Sequence, residues 1–268
     1  MATITSLVDT ATSTNQGKAG DTVNINGSAL GATVSVNFAG AVVSPTSVSN
    51  SLVTFVIPST VSCLGQVQVS TNLSNGAKSN ALPFFMIVAP TTTSSSPACL
   101  PAGGGSLTVL GTGFAAGGTV NVGALTPVAF TAGGNNTQVT ITAPAHTPAG
   151  CTDTQQITVT TPGGTGTTGT TQIDYYNPPV LTGTTLTPNT GPAGTQTTIT
   201  GGSCLVGITD VTFTDSATTV FPGLPFTSID ATSLVATVPA TAATGAGTFT
   251  VTTCGGTSGP SSTFTVIP

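Results

Sequence analysis

The stretch AGDTVNINGSALG, residues 19–31, decides the fold. Val23 and Ile25 alternate with Thr22 and Asn24, and Gly20 and Gly27 bracket the run. An apolar period of two in β-branched residues marks a strand with one face on a core and the other in water. The stretch returns as AGGGSLTVLGTGF at 102–114 and as AGTQTTITGGSC at 193–204. Two further motifs return in the same order. One is LVTFVIPS (52–59), QVTITAPA (138–145) and SLVATVPA (233–240). The other starts at Gly65, Thr154 and Gly247 as GQVQVSTNLSNGAKSN, TQQITVTTPGGTGTTG and GTFTVTTCGGTSGPSS. The repeat is roughly 85 to 95 residues, the size of a domain.

Three tandem domains are therefore expected, over residues 1–89, 90–177 and 178–268. The junctions fall near Pro90 and near Asn177-Pro178-Pro179, where proline ends a strand and stiffens the connection. Alternation continues at Leu107 and Val109, Val67 and Val69, Ile157 and Val159, and Phe249 and Val251. About seven short strands per repeat, separated by Gly, Pro and Asn turns, predict an all-β chain of β-sandwiches. Threonine fills about a fifth of the positions, far above ordinary usage, and is expected on the solvent face of the strands.

The repeats resemble the IPT/TIG family of immunoglobulin-like domains. In the first repeat the pattern is carried by Gly20, Val23, Ile25, Gly27, Val36 to Phe38, Ile57-Pro58 and Gly65 to Val69. In the third it is carried by Gly194, Ile199, Gly201, Val211 to Phe213, Val238-Pro239 and Gly247 to Val251. The middle repeat diverges, with Val120 to Gly123 in place of the V-x-F strand and Ala143 before Pro144. The resemblance implies three immunoglobulin-like sandwiches. It says little about function, because such sandwiches serve many roles.

Composition excludes several partner classes. Charged residues are 3% of the chain, with Lys+Arg 2 and Asp+Glu 7, and mean hydropathy is +0.38. Two lysines cannot neutralise a run of phosphates, so no nucleic acid is expected as partner. No basic membrane patch is expected either, and no apolar run reaches the roughly 18 residues of a membrane-spanning helix. The opening Met1-Ala2-Thr3-Ile4 reads as lacking a signal peptide.

The search for chemistry finds little, and no enzyme, cofactor or metal is expected. His146, the single histidine, sits in PAHTPAG and reads as an exposed turn residue. Gly164 to Gly169 matches G-x-G-x-x-G, but TQIDYY follows, a strand and not the helix a phosphate site needs. Asp210 and Asp215 flank one strand and read as solvated strand ends, short of a calcium loop. The sequons at Asn26, Asn72 and Asn135 are attributed to chance in a chain rich in Asn, Ser and Thr.

Five cysteines remain, at 63, 99, 151, 204 and 254, without zinc spacing. On an immunoglobulin-like sandwich, Cys99 and Cys151 lie at one end of the second domain. Cys204 and Cys254 lie at the opposite end of the third. The pairs Cys99–Cys151 and Cys204–Cys254 are thus geometrically sensible, while spacing by itself leaves the connectivity open. Cys63 has no partner in its own domain and reads as a small buried hydrophobe or an intermolecular thiol. Phe84-Phe85 and Tyr175-Tyr176 hold equivalent places in the last strands of domains one and two. Strand neighbours face opposite ways, so one ring of each pair fills the core and the other points outward, towards the next domain or a partner.

The expected role is non-enzymatic: a structural protein on a bacteriophage virion, as capsid decoration (cement) or fibre. Its partners would be capsid or tail subunits or like copies. IPT/TIG-like domains resemble those on many phage surfaces. The alternative is a secreted bacterial or archaeal filament subunit or cell-surface adhesin. Carbohydrate, usually stacked on Trp or Tyr, is unsupported in a chain with Trp 0 and Tyr 2.

Overall fold

The structure is a computed structural model that describes residues 1–60, 65–114, 117–131, 135–166 and 171–268. Every element among them is a strand. The first sandwich holds β1 (Thr3–Asp9), β2 (Gln16–Gly17), β3 (Thr22–Ser28), β4 (Thr33–Phe38), β5 (Ala41–Val43), β6 (Ser47–Val48), β7 (Leu52–Val56), β8 (Gly65–Leu73) and β9 (Leu82–Met86). The second holds β10 (Thr91–Ser96), β11 (Cys99–Pro101), β12 (Gly105–Thr112), β13 (Gly118–Val122), β14 (Val128–Phe130), β15 (Gln138–Ala143), β16 (Thr152–Thr161), β17 (Gly164–Thr165) and β18 (Gln172–Tyr176). The third holds β19 (Thr185–Thr187), β20 (Thr190–Pro192), β21 (Gln196–Thr200), β22 (Asp210–Thr214), β23 (Val220–Phe221), β24 (Phe226–Asp230), β25 (Ser233–Thr237), β26 (Gly245–Thr253), β27 (Gly256–Thr257) and β28 (Phe264–Ile267).

One topology recurs three times. The first layers are β1-β3-β7-β6, β10-β12-β15 and β19-β21-β25-β24. The facing layers are β2-β9-β8-β4-β5, β11-β18-β16-β13-β14 and β20-β28-β26-β22-β23. The opening strand of each sandwich serves both layers. It pairs antiparallel in the first (β1, β10, β19). It then crosses and pairs parallel with the last strand of the second (β2, β11, β20). In the second and third sandwiches Pro97 or Pro188 stands at the crossing, where a residue without an N–H interrupts the ladder.

Registers match copy by copy. Val23 faces Phe55, Leu107 faces Ile141, and Thr197 faces Ala236. Each sandwich encloses its own apolar cluster. Phe38 packs on Phe55 and Phe84 at centroid distances of 5.5 and 5.8 Å in the first. Phe213 and Phe249 meet at 4.8 Å in the third. The middle copy solves the same problem differently. Val122 stands where the others have Phe38 and Phe213, and the volume comes from Phe114, fully buried after β12 and edge-on to Phe130 at 6.2 Å. The left-handed glycine before the second strand is kept throughout: Gly20, Gly104 and Gly194 have φ of 89, 77 and 87°.

Threonine does not stay entirely on the wet face. Thr197 is buried, and its hydroxyl donates to the Pro188 carbonyl at 2.6 Å. Thr33 and Thr184 are buried and donate to the carbonyls of Leu30 and Leu181, both at 2.7 Å. At these three positions a carbonyl in the core takes the hydroxyl proton.

Candidate functional site: the clamped junction

The second and third sandwiches are joined by two disulfides, Cys99–Cys254 and Cys151–Cys204, with Cα atoms 6.2 and 4.8 Å apart. The four expected cysteines are all bonded, but the expected pairing within each sandwich is overturned: both bonds cross the junction. The reason lies in how tandem sandwiches stack. Cys99 opens β11 and Cys151 immediately precedes β16, at one end of the second sandwich. Cys204 follows β21, and Cys254 sits in the turn between β26 and β27. In a head-to-tail pair those two ends face each other. Each cysteine then meets a thiol across the junction in preference to the one beside it.

The linker is strapped between these bonds. Asn177 donates its backbone N–H to the Cys151 carbonyl at 2.9 Å, and its side-chain amide to the carbonyls of Pro148 and Gly150 at 3.0 and 2.7 Å. Val180 and Ser203 exchange both backbone bonds, at 2.9 and 3.0 Å. Gly255 lets the linker pass, since a Cβ there would lie 2.2 Å from the Asn177 carbonyl oxygen. Tyr175 fills the core, and the ring of Tyr176 lies against Gly207 of the third sandwich, 3.3 Å from where a Cβ on that glycine would stand.

The first junction repeats part of this design. A Cβ on Gly163 would lie 2.0 Å from the Val88 carbonyl oxygen, so the linker runs over the same hairpin position. Thr161 and Thr253 brace the two hairpins alike, accepting from the N–H of Gly163 and Gly255. Phe84 is buried, and Phe85 points outward, 38% exposed. Cys63 lies outside the described residues, and so do residues 167–169 of the Gly-rich match. Of the described part, Gly164 and Thr165 form β17, a hairpin return onto β16.

His146 departs from the sequence reading. It is half-buried, and its Nε2 meets Asp153 Oδ2 at 2.6 Å. Gln155 Nε2 donates to the same carboxylate oxygen at 2.8 Å. The imidazole stands edge-on to Tyr175 at 5.2 Å, and the Tyr175 hydroxyl donates to the Pro144 carbonyl at 2.9 Å. Burial raises the phenol's pKa. This network ties the 144–150 loop to β16 beside Cys151.

The aspartates are likewise occupied internally. Asp210 accepts from Gly223 N–H and the Thr212 hydroxyl. Asp215 accepts three backbone N–H groups, from Ala217, Thr219 and Ala243. That of Ala243 does most to hold the carboxyl below its ordinary pKa. The sequence reads both as solvated strand ends, whereas in the structure they organise turns. Among the described residues no three His, Cys, Asp or Glu side chains converge as metal ligands. No helix is long and apolar enough to cross a membrane. A groove of about 80 Å³ beside Gln196, Pro225, Phe226 and Thr237 is well under the volume of an ordinary ligand pocket.

Residues 2–85 match the IPT/TIG domain family. No curated protein sequence matches the chain. Among solved structures, a protein crystallised with a xylogluco-oligosaccharide aligns at 19% identity and a TM-score of 0.40, over 98% of this chain and 60% of its own. SGBP-B from a complex xyloglucan utilization locus in Bacteroides uniformis aligns at 14% identity and a TM-score of 0.29, over 90% and 86%. The FN1–FN3 domains of chicken CNTN1 align at 10% identity and a TM-score of 0.34, over 100% and 98%. The chain thus spans three fifths of the oligosaccharide-bound protein's length. At such identities the likeness is one of fold.

Proposed function

We propose that the chain is a non-enzymatic extracellular protein, a cell-surface adhesin or filament subunit, built from three IPT/TIG-type sandwiches over 1–89, 90–177 and 178–268. The observation that carries this reading is the pair of disulfides across the second junction. Such bonds persist in oxidising surroundings and are rare in a reducing cytosol. They turn two sandwiches into one stiff piece, which suits a protein that holds a contact away from its anchor point. A chain that is only 3% charged suits neutral protein or glycan partners over phosphates or anionic lipid. The bacteriophage-virion role is set aside in favour of this reading.

The test is direct. Protein recovered from its native source is treated with a thiol-alkylating reagent before and after reduction, and fractions are assigned to cell interior, surface and medium. The reading expects Cys99, Cys151, Cys204 and Cys254 to be unreactive until reduced, in the surface or medium fraction. A reduced, cell-interior protein would overturn it. A panel of neutral oligosaccharides and host surface proteins then separates the two ligand classes.

A further inference from the structure

One polar cluster in the second sandwich brings three side chains to a point. Asp153 and Gln155 stand two apart on β16 and so share a face. Their cross-strand partners on β18 are the buried Tyr175 and Ile173. His146 reaches them from the 144–150 loop. Its Nε2 lies 2.6 Å from Asp153 Oδ2 and 3.3 Å from Gln155 Nε2, and Gln155 Nε2 lies 2.8 Å from the same Oδ2. Three side chains thus close a triangle of polar atoms.

Protons alone do not satisfy this triangle. To bond the Asp153 carboxylate, His146 Nε2 must carry a hydrogen, and the Gln155 amide nitrogen then faces it donor to donor. If Nε2 accepts from Gln155 instead, its lone pair faces the carboxylate. Either assignment leaves one edge unmatched. No ammonium or guanidinium of this sandwich relieves it, because the only basic side chains, Lys18 and Lys78, belong to the first.

A divalent cation matches all three groups. Two ligands about 2.1 Å from one ion stand about 3.0–3.4 Å apart at octahedral or tetrahedral angles, so the triangle needs only a small opening. Turning the Gln155 amide presents its oxygen where its nitrogen now stands. Gly123 gives the amide room, since a Cβ there would lie 1.8 Å from Gln155 Oε1. The groups are held before any ion arrives. The His146 backbone N–H donates to the Ala102 carbonyl at 2.8 Å, and Asn177 holds the loop at Pro148 and Gly150. The His146 and Asp153 side chains are 21% and 40% exposed, so an ion and its waters can reach them.

We propose that His146, Asp153 and Gln155 bind a divalent transition-metal ion of the zinc class, with water completing the coordination. Such ions take imidazole and carboxylate together, whereas Ca2+ and Mg2+ take oxygen ligands. The ion pins the 144–150 loop to β16 beside Cys151. This site does not depend on where the chain works.

Calorimetric titration of the intact, disulfide-bonded chain with Zn2+, and with Ca2+ for comparison, tests it. The expected result is one zinc ion per chain, no calcium at the same concentrations, and a zinc-dependent shift of the single histidine's ring resonances. Losing an outer hydrogen-bond partner of a metal ligand already weakens binding about tenfold or more. His146→Ala and Asp153→Asn should therefore each weaken zinc binding at least that much. Gln155→Glu should tighten it, because a carboxylate replaces a neutral amide, and Asp210→Asn in the third sandwich should leave it unchanged. If His146→Ala or Asp153→Asn loses its β-sheet circular dichroism, Gln155→Glu and the histidine resonances of the unaltered chain decide. The proposal is overturned by no zinc uptake, by equal calcium binding or by unmoved histidine resonances. Undiminished uptake in folded His146→Ala, or an affinity that Gln155→Glu leaves unchanged, also overturns it.

Discussion

At the scale of single residues, what matters is where a Cβ or a proton has room. Gly255 and Gly163 lie under linker carbonyls, so Gly255→Ala should cost about 1–3 kcal/mol, the range for overpacking. Gly103 meets nothing within 4 Å, and Gly103→Ala should stay within about 0.5 kcal/mol. Urea titration of the two variants distinguishes them, and equal losses would contradict the packing described. Asp215 makes a pH prediction. Its three backbone bonds, Ala243's foremost, lower its pKa from 3.8. A lowered folded-state value means stability that is present above the unfolded pKa and is lost as pH falls through the folded one. The Tm should therefore fall on acidification below the ordinary carboxylate range. Asp215→Asn should have a lower Tm at neutral pH and a shallower acid limb. Parallel acid limbs for the two proteins would argue against that role.

At the scale of elements, each sandwich closes on its own core, and the strand pattern reports it faithfully. β26 reads GAGTFTVTT with Gly247, Phe249, Val251 and Thr253 inward. Phe38 is the keystone of the first core, touching Phe55 and Phe84. Phe38→Ala should cost about 3–5 kcal/mol. Because the three cores are separate, calorimetry should show that loss in one transition while the others hold. A uniform shift of all transitions would mean that the cores unfold together. The middle copy shows the limit of motif reading at this scale. Its missing V-x-F phenylalanine signalled divergence, yet Phe114 restores the lost volume from a neighbouring position. Packing responds to total volume as well as to residue order.

At the scale of the whole molecule, the two crossing disulfides decide what moves as one body. Peptide mapping without reduction, using a protease other than trypsin because the only lysines are Lys18 and Lys78, should recover Cys99 linked to Cys254 and Cys151 to Cys204. Recovery of Cys99 with Cys151 would refute the clamp. Reduction should remove about 4 kcal/mol for the bond of sequence separation 53, on the chain-entropy view. The loss should fall on the second and third sandwiches, and X-ray scattering should show their junction loosening. The first sandwich should melt unchanged.

The threefold repeat, the all-β class, the inward positions and the aspartate-poor, hydroxyl-rich exterior were legible in the chain itself, because strand alternation and turn residues are local properties. Even the end of the sandwich at which each cysteine sits followed from its place relative to a strand. Which thiol meets which did not, because that depends on two domain ends facing each other across a linker. The His146–Asp153 contact and the volume supplied by Phe114 have the same origin. Each arises where residues distant in sequence come together, and no periodicity encodes such a meeting.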